Sequence, residues 1–181
     1  MKKTFIYILS IIVISIIAKP IIAQDFNKES FNQVYLDTYV NKAILYGYCT
    51  ADGIRESLIF RHNYNRSLKD YTIDSNLVIS VNEKLNDVQI TIVFATWCPD
   101  SQREVPRFIE ILRVMDYPVD MLNIIAVDRN KAVEEIDIKD LNVDFVPTFI
   151  FSKNDVEIGR IVEMPVSTLE SDIVEILFKT N

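Results

Sequence analysis

Glycine is scarce, with three in 181 residues. That excludes the Gly-rich loops that cradle phosphate in the common nucleotide-binding motifs, which need several glycines at close spacing. Cysteine is as scarce, with two, and there is one histidine. Two thiols are too few for a disulfide scaffold, and with one imidazole they cannot form a cysteine-rich zinc site. Basic residues are outnumbered, 19 Lys and Arg against 26 Asp and Glu, giving a net charge of −7. Such a balance repels nucleic acid and anionic membrane surfaces, so nucleic acid is not an expected partner. Internal repeats and low-complexity tracts are lacking too. The longest apolar run, residues 5–18, is about 14 residues long, short of the roughly 20 that a helical membrane span needs.

What is there begins with that run. Lys2 and Lys3 precede it, Lys19-Pro20 ends it, and Ala23 offers a small residue before Gln24. This is the pattern of a bacterial export signal over residues 1–23, which predicts a mature chain that is periplasmic or secreted. Shedding Lys2, Lys3 and Lys19 takes the net charge from −7 to −10. The alternative is an uncleaved membrane anchor, since Ile21 stands where a small residue is usual; only then does a membrane become a partner. No cysteine lies near the cut to carry a lipid.

Residues 31–48 place Val34, Tyr35, Leu36, Tyr39, Val40, Ala43, Ile44, Tyr46 and Tyr48 at helical spacing and predict a helix. Residues 61–74, polar and rich in Asn and Tyr, read as a loop, and Ser75 is positioned to cap a helix over 76–85. Residues 24–85 are thus expected to form a helical extension packed on a core domain over 86–181. In that domain the pattern predicts a strand over 89–95, a helix over 99–115 and a strand over 122–127. A polar segment over 129–140 with a short helix follows, then strands over 148–152 and 156–162 and a helix over 168–179. The order β-α-β-α-β-β-α, with one parallel crossover and one hairpin, is an α/β pattern.

The segment Trp97-Cys98-Pro99-Asp100-Ser101 carries the chemistry. An apolar strand delivers Cys98 to a turn at the start of a helix, where backbone N–H groups favour the thiolate. Pro99 suits the first helical position, because the N–H it lacks would have no helical partner. Asp100 places a negative charge near the sulfur, and Arg103 can offset it.

Phe94-Ala95-Thr96-Trp97-Cys98-Pro99, Pro106 in the following helix, Val146-Pro147-Thr148 and Gly159 together resemble the thioredoxin superfamily over about half the chain, residues 86–177. The segment from Trp97 to Phe108 is similar to exported bacterial thioredoxin-like proteins in which Cys-X-Asp-Ser replaces Cys-X-X-Cys. The resemblance implies a thioredoxin-like fold, a central mixed sheet flanked by helices, and a cis Pro147 facing Cys98. It implies no cofactor and no metal. Ser101 replaces the resolving cysteine, and Ile92 occupies the position of the buried carboxylate that helps deprotonate it.

On that resemblance Cys98 attacks a disulfide, and release of the mixed disulfide awaits an outside thiol. Ser101 can donate a hydrogen bond to the thiolate, and Trp97 can shield the sulfur and offer a flat apolar contact. The carbonyl and N–H of Val146 are expected to be free to pair with an extended substrate strand. The expected partners are protein or small-molecule thiols and disulfides. Cys49 is a candidate resolving thiol if its Cα comes within about 7 Å of that of Cys98; otherwise it is a small buried residue at a helix end. His62, alone in a polar segment, reads as a surface residue rather than a hydrolase base. Asp128, Glu134, Glu135, Asp137 and Asp140 lack calcium-loop spacing and read as a solvated face. Two functions are consistent with these residues: a monothiol redox protein of the cell envelope acting through Cys98, and a redox-inactive binding module using the groove beside Pro147 and Trp97.

Overall fold

The computed structural model describes residues 31–179. The export segment, residues 1–23, lies outside them, and among the described residues no helix is long and apolar enough to cross a membrane. Strands β1 (Gln33–Asp37), β2 (Lys42–Cys49), β3 (Gln89–Phe94), β4 (Asn123–Ala126), β5 (Thr148–Lys153) and β6 (Val156–Val162) form one sheet in the order β1-β2-β4-β3-β5-β6. β3 and β4 run parallel, and every other neighbouring pair is antiparallel. The helices are α1 (Ala51–Glu56), α2 (Arg61–Leu68), α3 (Ser75–Ile79), α4 (Pro99–Val114) and α5 (Leu169–Phe178).

Side chains alternate across a strand, and the central strands divide accordingly. Ile90, Ile92 and Phe94 of β3 and Ile124 and Ala126 of β4 join the larger apolar cluster, to which all five helices contribute. Val93 and Ile125, with Ala95 and Val127 just past the strand ends, join a smaller cluster on the other face, closed by Val133, Ile138 and Val146 from the long connection between β4 and β5. That connection is mostly irregular, with a 3-10 turn at Lys139–Leu141 in place of the predicted short helix.

The helix predicted over 31–48 is instead a hairpin, and its inner strand extends the core sheet. β2 pairs with β4 through Gly47–Ala126, Tyr48–Ile125 and Cys49–Ile124. Asn41 (φ 52°) helps close the turn and Gly47 (φ 81°) sits inside β2, so neither adopts helical backbone. The aromatic and branched residues that weaken a helix suit a pleated surface. The segment read as a loop contains α2, anchored by the buried Phe60, Tyr64 and Ser67. Asp74, not Ser75, caps α3 by accepting from the Leu77 N–H at 3.1 Å, and the rest of that predicted helix is a 3-10 turn at Asn82–Leu85.

Gly159 lets α5 lie close on β6: a Cβ there would sit 2.9 Å from Ile176 Cγ1. Gly159→Ala is expected to cost about 1–3 kcal/mol through overpacking. Urea unfolding measures this, and an unchanged midpoint would show that α5 can yield.

Candidate active site

The start of α4 is tied to the end of β3 by three hydrogen bonds. The Cys98 N–H donates to Ala95 O at 3.1 Å, Gln102 Nε2 to Thr96 O at 2.7 Å, and the Ala95 N–H to Ser101 Oγ at 3.2 Å. Cys98 is the N-cap residue with extended backbone, and Pro99 takes the first helical position. The Cys98 thiol donates to Val146 O at 3.0 Å, across the cis Val146–Pro147 peptide. Pro147 O accepts from the Glu163 N–H at 2.7 Å, and Thr148 Oγ1 donates to Phe145 O at 2.7 Å, so the loop facing the sulfur is fastened to β6 and to itself. Cys98 is 7% exposed.

Three expectations change here. The Val146 carbonyl is occupied by the thiol; its N–H has no partner among the described residues. Ser101, fully buried, accepts from the Ala95 N–H through its hydroxyl oxygen, and the thiol donates to Val146 O. Cys49 lies at the end of β2, just before the cap of α1, and belongs to the larger cluster, whereas Cys98 belongs to the smaller one across the sheet. Both cysteines are free, and burial pushes the Cys49 thiol up to about 12. The sheet therefore lies between the Cys49 and Cys98 side chains.

Ile92 is fully buried between Ile124 and Phe149 in the sheet register. Asp100 and Arg103 form an ion pair at 2.7 Å, and Arg103 also holds the buried Glu104. The expected offset of the Asp100 charge is thus a direct contact. His62 is exposed on α2. Asp128 accepts from the N–H groups of Asn130 and Ala132 and shapes the start of the long connection. Among the described residues no group of three His, Cys, Asp or Glu is arranged to hold a metal ion.

Sequence reasoning missed Arg129. Its guanidinium lies 5.1 Å from the Trp97 ring centre and 5.5 Å from that of Tyr39, and its Nε donates to the buried Asp37 at 2.6 Å. The β1–β2 turn is in this way pinned over the half-buried Trp97, whose Nε1 is buried without a partner. Asp37 and Arg129 are 92 positions apart, and no local pattern announces such a pair.

No protein-family model and no curated protein matches the chain. Among solved structures, a protein of unknown function from Pseudomonas aeruginosa is similar with a TM-score of 0.51 at 16% identity, covering 74% of this chain and 91% of its own. At that identity the likeness is one of fold. A reduced thioredoxin pre-protein from Schistosoma mansoni matches at 25% identity and TM-score 0.37, covering 60% of this chain and 92% of its own. Fasciola hepatica thioredoxin matches at 20% identity and TM-score 0.38, covering 59% and 93%. The mixed sheet, the cysteine at the start of α4 and the cis-proline loop facing it define an α/β thioredoxin-like fold. In this fold Ser101 stands three positions after Cys98, on the first turn of α4.

Proposed function

We propose that this protein is a monothiol redox protein of the cell envelope, exchanging thiols and disulfides through a mixed disulfide at Cys98. The observation that carries this is the 3.0 Å contact of the Cys98 thiol with Val146 O, which aims the sulfur at the loop where an extended partner strand would pair. In the first step the Cys98 thiolate attacks a partner disulfide, an S–S bond to Cys98 forms, and the partner's other sulfur leaves as a thiolate. Ser101 and Ile92 supply neither a second sulfur nor a base, so the adduct waits for an outside thiol. Export rests on residues 1–23, and a processed chain beginning at Gln24, read by mass, tests it.

The second reading, a binding module at the groove beside Pro147 and Trp97, is favoured by the low exposure of Cys98. Labelling the native protein with a small maleimide separates the two. A redox protein takes one adduct, at Cys98, while Cys49, its thiol pushed up to about 12, stays unmodified until unfolding. Cys98→Ala then abolishes both the adduct and any mixed disulfide trapped in cells. A Cys98 as slow to label as Cys49 would end the redox reading and favour the module.

A further inference from the structure

A pocket of about 320 Å³ opens between α2 and the first turns of α4, lined by Asn63 and Arg66 on one side and Pro99, Gln102, Arg103 and Arg107 on the other. Three guanidinium groups around one pocket run against the net charge of −7. Two are held in place. Arg103 is bound by Asp100 and Glu104, while Arg107 contacts Glu104 at 3.6 Å, Ser67 O at 3.3 Å and the Tyr71 ring at 4.5 Å. Arg66 has no acidic partner among the described residues, so its positive charge is left uncompensated. Pro99, the residue after Cys98, is the lining residue nearest to Cys98 in the chain.

We infer that this pocket receives the carboxylate of a small acidic thiol, and that such a thiol is the outside reagent that frees Cys98. The inference rests on the redox reading above. A guanidinium can donate two N–H bonds to one carboxylate, and Arg66, which no described carboxylate holds, is the one placed to do so, with Arg103 and Arg107 fixed beside it. A pocket of about 320 Å³ is at the lower end for small molecules and too small for a folded partner. In the step itself the acidic thiolate attacks the outer sulfur of the mixed disulfide, and a new S–S bond joins it to the former partner. The bond to Cys98 breaks, its electron pair stays on the Cys98 sulfur, and that sulfur takes a proton from solvent. No net oxidant or reductant is consumed.

The test starts from purified protein carrying a methylthio group on Cys98. Release is timed with 3-mercaptopropionate and with its uncharged amide, each rate divided by the thiolate concentration. The acid is expected to be about 5-fold faster at low salt, a size ordinary for one partly exposed ion pair. Screening in about 0.5 M salt should remove the advantage. Arg66→Gln should remove it as well, and Lys153→Gln, which deletes the same charge at the far end of β5, should keep it. An acid no faster than the amide overturns the inference, as does an advantage that Arg66→Gln leaves intact. Succinate, a dicarboxylate without a thiol, is titrated in parallel by NMR, and shifts confined to α2 and the first turns of α4 are expected. No shift there overturns the pocket whatever Cys98 does. Shifts there with a Cys98 that refuses the methylthio group support the carboxylate pocket and overturn the redox reading instead.

Discussion

A Ser101→Cys variant is expected to discharge a methylthio group held on Cys98 with no outside thiol present, whereas the native chain keeps it. Positions 98 and 101 are three apart at the start of α4, a spacing that puts side chains on one helix face and Cα atoms within disulfide range. The new sulfur attacks that of Cys98, methanethiolate leaves, and an internal disulfide remains. Well-oriented intramolecular groups reach very high effective molarities, so even a poorly ionised thiol at 101 should outpace about 1 mM outside thiol by roughly 100-fold. Two opposing terms keep the estimate low. The substitution gives up the acceptor for the Ala95 N–H, worth about 1 kcal/mol, and a fully buried thiol ionises reluctantly. Mass measured against time reads the outcome. A methylthio adduct that persists as it does in the native chain would mean that the side chains at 98 and 101 do not meet.

Phe108→Ala is expected to lower stability by about 3–5 kcal/mol, the range for truncating a buried aromatic. Phe108 is fully buried on α4, its ring stacked on Phe149 at 4.2 Å between centres and edge-on to Phe151 at 5.8 Å. These contacts join the helix that presents Cys98 to β5, whose first residue follows Pro147. Domains of this kind hold only about 5–15 kcal/mol in total, so the variant should be marginal and should label faster at Cys98 as α4 loosens. Urea unfolding with an unchanged slope checks it, and a loss below about 1 kcal/mol would mean that the three rings are not a single packed unit.

From residue 86 onward most elements were legible, because each carries a strong local signal. β3 and β4 are apolar runs, Pro99 marks the start of α4, Asn154 and Asp155 with positive φ turn the chain between β5 and β6, and Thr168 caps α5 by accepting from the Ser171 N–H at 3.1 Å. The first third was misread where tertiary pairing overrides local pattern. β1 is an outer strand whose Val34, Tyr35 and Leu36 are all exposed, so no period-2 burial marks it, and its apolar residues fit a helical template equally well. α2 is polar over most of its length because Tyr64 and Ser67 are its buried residues, with Leu68 packed at the edge of the core. At the site, Cys98, Ser101 and Pro147 were visible as residue types at known offsets. The Ser101–Ala95 bond, the occupied Val146 carbonyl and the reach of Arg129 from Asp37 to Trp97 depend on where separate elements meet.

The sheet that stands between Cys49 and Cys98 turns the protein into its own recorder. With no native route to an internal bridge, a sulfur found joined to Cys98 has come from another molecule. The mass added to the intact chain under non-reducing conditions is then that of the part of the partner whose sulfur Cys98 retains, and can be weighed before that partner is identified.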